Sequence, residues 1–156
     1  MKITNFTKLS NTKKIKFAKM YYQYVCDCLT EDKLWEELAL FKLGADVYVR
    51  QNELLSITYS QIDFPMVRKV PILKIYKGQK RQYYYNDIRI SEDTYRSIID
   101  IWYQDSSEDD RIFKRPMEYY IKRIQSSTGD NQFSHHMMRH IGAMLFRNEF
   151  LSKVKE

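Results

Sequence analysis

Residues 134–140, with the sequence Ser-His-His-Met-Met-Arg-His, place histidine and arginine side chains within one short segment. In a helix, His136 and Arg139 are three residues apart and project from the same face. A helix N-terminus favours anions, and an arginine can hold a phosphate through two parallel hydrogen bonds. The segment therefore predicts a phosphate site. The alternative for a lone His-x-x-Arg motif is a helix whose polar residues only face water.

The spacing of apolar residues predicts the elements that position this segment. Apolar side chains recur every three or four positions along several stretches, which is typical of amphipathic helices. Gly44 is expected to interrupt the second of these helices. The residues expected to cap or begin the later helices are Thr30, Arg50, Ser91, Pro116 and Ser134.

Residues 70–90 have a different character, because β-branched and aromatic residues flank a turn that contains glycine. This pattern predicts a β-hairpin with Lys77 at its tip. The tyrosines at 83–85 either stack on nucleic-acid bases or pack as part of a half-buried strand. The predicted fold class is α+β, a mostly helical single domain over residues 11–156 with a small antiparallel sheet. Residues 1–10 are expected to form an N-terminal arm.

The charge balance favours a polyanionic partner. Twenty-six Lys and Arg residues against 20 Asp and Glu give a net charge of +6 and a pI near 9.2. Lys13, Lys14, Lys16 and Lys19 fall on a predicted amphipathic helix, where they either contact a phosphate backbone or form a solvated face. Double-stranded DNA is the expected partner, with Lys13, Lys14, Lys16 and the hairpin residue Lys80 as contacts.

Other features indicate an intracellular protein. The sequence has no apolar stretch of membrane-spanning length and no signal-peptide pattern at its start. Cys26 and Cys28 are too close together for a structural disulfide and are expected to be reduced thiols. A zinc site formed by these cysteines with His135 and His140 is an alternative, but Cys-x-Cys is not the usual zinc-binding spacing. No metal or other cofactor is expected.

Three cationic motifs occur in an order that resembles the catalytic domain of the tyrosine recombinases, the phage-integrase family. Arg50 begins residues 50–57, whose sequence Arg-Gln-Asn-Glu-Leu-Leu-Ser-Ile is similar to the first box of that family. Lys77 matches the family's hairpin lysine. Residues 134–140 are similar to the second box, usually written His-x-x-Arg-His. The resemblance covers about residues 30–150.

This resemblance implies a specific chemistry. In the family, a tyrosine attacks a DNA phosphate without a metal ion, which leaves a 3′-phosphotyrosyl bond and a free 5′-hydroxyl. Two arginines hold the phosphate oxygens as charge builds, the lysine protonates the leaving 5′-oxygen, and the histidine assists proton transfer. Glu53 and His140 would support the site. The residues matched to the catalytic positions are Arg50, Lys77, His136 and Arg139.

The sequence departs from the family at its nucleophile. No tyrosine follows Arg139, and Tyr119 and Tyr120 precede the second box. We therefore expect either a recombinase catalytic domain that lacks its nucleophile segment or a non-cutting DNA-binding relative with a regulatory or architectural role. A basic structural protein that shares only the fold is the third alternative. Under the first alternative, other recombinase subunits are also expected partners.

Overall fold

The computed structural model describes residues 10–47, 49–64, 70–79, 82–102 and 106–147. Within these residues the chain is mostly helical with a small three-stranded antiparallel sheet, which confirms the expected fold class. A 3₁₀ turn at Tyr59–Gln61 and a π-helical turn at Ala143–Arg147 complete the described elements. The helices are α1 (Asn11–Glu31), α2 (Trp35–Asp46), α3 (Gln51–Leu55), α4 (Glu92–Asp100), α5 (Met117–Thr128) and α6 (His135–Gly142). The strands are β1 (Ile62–Asp63), β2 (Ile72–Gln79) and β3 (Gln82–Arg89).

Serine side chains cap three of the helices. The Oγ atoms of Ser10, Ser91 and Ser134 accept hydrogen bonds from first-turn backbone N–H groups of α1, α4 and α6. These bonds satisfy N–H groups that have no partner inside the helix. Gly129 ends α5 in the left-handed conformation, with φ of 73°, as glycine does at many helix ends. The predicted helix starts near Arg50, Ser91, Pro116 and Ser134 are confirmed.

The prediction that Thr30 caps the second helix is wrong. Thr30 lies inside α1, and its hydroxyl donates to the backbone carbonyl of Cys26 at 2.7 Å. A threonine can bond to the carbonyl four residues earlier without ending a helix. Leu34 instead precedes α2, so the connection between the two helices lies beyond Glu31.

The prediction that Gly44 interrupts the second helix is wrong. Gly44 lies inside α2, where this helix packs against α6. A Cβ atom at Gly44 would collide with the Met138 side chain, and one at Gly142 would collide with the backbone of Ala45. Gly142 therefore allows the backbones of α6 and α2 to approach closely, and Gly44 leaves room for the Met138 side chain. The sequence pattern suggests a helix break at Gly44, but the residue is retained within the helix by this long-range contact.

The sheet has the order β1–β2–β3, and β2 and β3 form the predicted hairpin. Lys77 is paired with Tyr84 inside the hairpin, and Gln79 is paired with Gln82 nearer its closed end. The prediction that Lys77 occupies the tip is therefore wrong, because Gly78 continues the strand opposite Tyr83 instead of forming the turn. The side chains of residues 75–79 and 82–87, and all of Lys80, lie outside the described residues.

A hydrophobic core joins the helices to one end of the sheet, where Leu73 of β2 is buried. Its largest fully buried side chains include Tyr21 of α1, Phe41 of α2 and Tyr120 of α5. Met138 and Ile141 bury the apolar face of α6 in the same core, as their spacing predicts. Among the described residues, no helix has the length and apolar content needed to cross a membrane. The predicted arm lies outside the described residues, except for Ser10.

Candidate phosphate-binding site

The first turns of α6 carry the polar residues of the second box. Ser134 adopts an extended conformation, and its Oγ accepts the N–H of Met137 at 3.2 Å. His136 and His140 are exposed, whereas His135 and Arg139 are partly buried. Because Met138 and Ile141 anchor the opposite face in the core, the helix holds these polar side chains at or near the surface.

Arg50 stands at the start of α3 and is exposed. Its backbone N–H donates to Glu53 Oε1 at 2.9 Å, so Glu53 supports the turn. Glu53 does not neutralise the guanidinium group, since the described part of the chain has no ion pair between these two side chains. The Arg50 guanidinium group is consequently available to a ligand.

The starts of α3 and α6 meet at one surface pocket. This pocket has a volume of about 310 Å³, and both Gln51, which follows Arg50, and the α6 residues Ser134 and His135 line it. Residues of α5 form the rest of the wall, including Glu118 and Lys122, which form an ion pair at 2.9 Å. The helix ends that carry the two predicted motifs are therefore neighbours, although the motifs are more than 80 residues apart in sequence.

The pair His136 and His140 lies one turn apart on α6. Their Nε2 atoms are separated by 2.9 Å, and their ring planes are inclined by 85°. At this distance one Nε2–H donates to the lone pair of the other nitrogen. The geometry therefore brings His140 into direct contact with His136.

The electrostatic surroundings of α6 are cationic. Burial lowers the pKa of His135, and electrostatic interactions with Arg139 and His136 lower it further. Burial also lowers the pKa of His140, with contributions from His136, Arg139 and Lys14. Desolvation and neighbouring cations disfavour the charged imidazole. Both rings are therefore mainly neutral at pH 7, in surroundings that suit an anion.

The basic residues of α1 occupy two kinds of environment. Lys13 and Lys16 are exposed, whereas Lys14 is partly buried and close enough to influence His140. The predicted helix with a basic face is thus present, and one of its lysines adjoins the α6 site. Lys77 lies on β2, and its side chain is outside the part of the chain that the structure describes.

Tyr119 and Tyr120 of α5 have structural contacts. The Tyr120 hydroxyl donates to Glu36 at 2.5 Å, and burial raises the pKa of this phenol well above its ordinary range. The Tyr119 ring lies 5.4 Å from the guanidinium carbon of Arg115 and 5.3 Å from that of Arg123. Tyr120 is fully buried, so its hydroxyl is not placed to attack a DNA phosphate.

The zinc alternative receives no support from the described residues. Within residues 10–47, 49–64, 70–79, 82–102 and 106–147, no three potential metal ligands among His, Cys, Asp and Glu come together. Cys26 is buried inside α1, and burial raises the pKa of its thiol to about 12. The two cysteines do not join His135 and His140 in a common metal site.

Two residues of the site were not identified from the sequence. Gln51 and Lys122 both line the pocket where α3 and α6 meet. His135, considered only as a zinc ligand, lines the same pocket, and its Nε2 atom is buried. The signal for His135 was its position directly after the cap residue Ser134, where a helix presents its first turn to a ligand.

Comparison with known proteins gives no match. The chain matches no protein-family model, no curated protein and no solved structure. Similarity therefore does not assign a family, and the site is interpreted from its own residues and distances.

Proposed function

We propose that this chain is a double-stranded DNA-binding domain of the tyrosine-recombinase type, in which Arg50 and Arg139 hold one DNA phosphate. The observation that carries the proposal is the meeting of the α3 and α6 starts at one pocket. Arg50 directly precedes the pocket residue Gln51, and Arg139 lies one helical turn along α6 from the pocket residue His135. Their guanidinium groups are proposed to offer paired hydrogen bonds to the non-bridging oxygens of a phosphate bound at this junction. The neutral His135 and His140 rings add donors without requiring a counter-ion.

In the proposed catalytic arrangement, phosphate binding is separate from strand cleavage. Arginine side chains stabilise charge that develops on the phosphate, whereas cleavage also needs an activated nucleophile. The nucleophile of the resembling family is a tyrosine, and no tyrosine follows Arg139 in these 156 residues. Residues 1–156 are therefore proposed to bind the phosphate, and a tyrosine from elsewhere would be needed to cut the strand.

A non-cutting DNA-binding relative is the second candidate. The observation that favours it is the 2.9 Å contact between the Nε2 atoms of His136 and His140. A histidine engaged in this way is less free to exchange a proton with a substrate, because its reactive nitrogen already has a partner. Under this candidate the α6 surface contributes affinity and orientation without chemistry.

The first test measures binding of a fluorescent duplex by anisotropy at low salt. Arg50→Ala and Arg139→Lys are each expected to weaken binding about tenfold, since a charge-assisted hydrogen bond contributes about 1.5–3 kcal/mol. The lysine keeps the charge at residue 139 but loses the two-pronged grip. Arg96→Ala is the matched control, because Arg96 is exposed on α4 and paired with Glu92 at 2.8 Å. Equal affinity of the Arg50→Ala and parent proteins would overturn the proposal.

A second experiment separates the two candidates. The protein is incubated with a nicked duplex that traps covalent intermediates, alone and after fusion to a tyrosine-bearing C-terminal segment. The recombinase candidate predicts a protein–DNA band on a denaturing gel only with the fused segment, and its loss in Arg50→Ala. The non-cutting candidate predicts duplex binding with no covalent band in either form.

A further inference from the structure

The His136–His140 pair has a geometry that the phosphate site does not require. Both residues are exposed, and they lie on the same face of α6, one helical turn apart. Their ring centroids are 4.4 Å apart, and the Nε2 atoms approach to 2.9 Å. Two imidazole nitrogens are therefore directed toward each other at the surface of a capped helix.

We propose that His136 and His140 together chelate a late first-row divalent transition-metal ion through their Nε2 atoms. Imidazole nitrogens bind such ions at about 2.0–2.1 Å. Two nitrogens at that distance and at right angles around one metal ion are about 2.9 Å apart. The separation in the structure is 2.9 Å, so the two nitrogens already have the spacing of a chelating pair. The rings need to rotate so that both lone pairs point to a metal ion beside the line that joins the nitrogens, and the helix backbone can stay in place.

Metal binding changes which nitrogen carries the hydrogen in one of the two rings. In the present pair, one neutral ring carries its hydrogen on Nε2 and donates it to the other ring. In the metal-bound pair both rings carry the hydrogen on Nδ1 and offer the Nε2 lone pair. One proton moves from Nε2 to Nδ1 of the same ring through solvent. Binding by two neutral rings therefore adds and removes no protons overall.

The surroundings limit the strength of the site. No third His, Cys, Asp or Glu ligand joins the pair within the described residues, so water or an incoming ligand fills the other metal positions. Lys14 and Arg139 place positive charge close to His140, which opposes a divalent cation. The affinity of nitrogen ligands for late first-row divalent ions rises from Ni²⁺ to Cu²⁺ and falls again at Zn²⁺. Cu²⁺ is therefore expected to bind most tightly.

The composition of the chain makes the site easy to test. The chain has three histidines, and all of them lie on α6. His135 is adjacent to the pair but faces the pocket shared with Gln51, and its Nε2 is buried. His135→Ala is thus a control that removes one imidazole from the same helix and leaves the chelating pair intact.

The experiment titrates the full chain with Cu²⁺, Ni²⁺ and Zn²⁺ by calorimetry, in a Cys28→Ser background that removes the partly exposed thiol. One equivalent of Cu²⁺ is expected to bind. His136→Ala and His140→Ala should each weaken binding at least about tenfold, because each removes one of two ligands. His135→Ala should leave the affinity within about threefold.

Electron paramagnetic resonance of the Cu²⁺ complex gives an independent readout. Coupling to two imidazole nitrogens is expected in the parent and in His135→Ala, and coupling to at most one in His136→Gln and His140→Gln. Circular dichroism checks that each variant is folded. Retained affinity in the His136 and His140 variants, or an equal loss in His135→Ala, would overturn the proposal. No DNA is present, so the result is independent of the proposed function.

Discussion

Asp130 and His135 stand on either side of the short loop that leads into α6, yet their polar atoms have opposite surroundings. Asp130 is fully buried, and its carboxylate accepts the Tyr21 hydroxyl at 2.6 Å and the Gln132 N–H at 3.0 Å. The buried Nε2 of His135 has no hydrogen-bond partner among the described residues. Buried polar groups that serve the fold are normally bonded within it. The two residues therefore differ in whether the fold itself satisfies their buried polar atoms.

The largest expected effect is the loss of the Asp130 carboxylate. Asp130→Ala should lower the free energy of unfolding by about 3 kcal/mol, because the Tyr21 hydroxyl and the Gln132 N–H then lack their acceptor. Urea unfolding followed by circular dichroism measures the change. Asp130→Asn, which keeps one acceptor oxygen, should lose clearly less. If Asp130→Ala is as stable as the parent, the hydrogen bonds of Asp130 do not stabilise the interior as argued.

The comparison extends to α1, whose apolar face belongs to the interior and whose lysines are exposed, except for the partly buried Lys14. Duplex binding is described by the slope of log Kd against the logarithm of the salt concentration. Changing Lys13, Lys14 and Lys16 together to Ala should reduce this slope by about 2–3. Each phosphate contact contributes about 0.9 to this slope. Anisotropy titrations over a range of salt concentrations measure it.

A matched variant carries the same loss of charge away from α1. Lys33, Arg96 and Lys114 are exposed and are changed to Ala together. This control should retain most of the parent slope. Equal slopes for the two triple variants would show that α1 has no special role in DNA binding.

The buried Cys26 and the partly exposed Cys28 allow the pH dependence of stability to be compared between the two sides of α1. Burial raises the pKa of Cys26 to about 12, so the folded thiol keeps its proton where the unfolded thiol, with a pKa of about 8.5, loses it. The unfolded state then binds fewer protons, and stability falls as pH rises above about 8.5. At about pH 9.5 this group should cost about 1 kcal/mol.

Urea unfolding at about pH 7.5 and pH 9.5 measures this loss. Cys26→Ala should lose less stability between the two pH values than the parent does, since it has no thiol to ionise. Cys28→Ser is the control and should follow the parent. Parallel losses in the parent and Cys26→Ala would contradict a buried, protonated thiol.

The smallest expected effect is at His135. His135→Phe should change the free energy of unfolding by less than about 0.5 kcal/mol, because its buried Nε2 has no hydrogen bond to lose. Tyr21→Phe makes a similar change in the interior and should lose about 1–2 kcal/mol with its bond to Asp130. Urea unfolding of both variants compares them directly. Equal losses would remove the distinction between the two regions.

Local signals in the sequence predicted the elements that depend on local contacts. Ser91 and Ser134 are capped helix starts, and Gly129 ends α5, as side-chain capping and glycine conformation require. The α6 apolar face was also predictable, since the spacing of Met138 and Ile141 matches a helix packed on one side. The two-residue strand β1 was missed because so short a strand has no periodic pattern.

The features that were not predicted depend on residues distant in sequence. Gly44 has the local character of a helix breaker, and only the neighbouring Met138 explains its place within α2. Asp130 lies in a polar run that suggests an exposed helix end, but Tyr21 from α1 makes it part of the interior. In the candidate site, Arg50 and the α6 motif were found by type and order, whereas the wall contributed by Lys122 required the fold.

The close contact between Gly142 and Ala45 has a consequence for the order of folding. These residues are about 100 positions apart in sequence, and a contact at that separation forms only after a large loop has closed. Helices α1 and α2 are also synthesised well before α6. We expect pulsed hydrogen exchange to find α6 amides protected later than those of α1. The surface that carries His136, Arg139 and His140 would then be absent from the nascent chain until α6 has emerged and docked on α2.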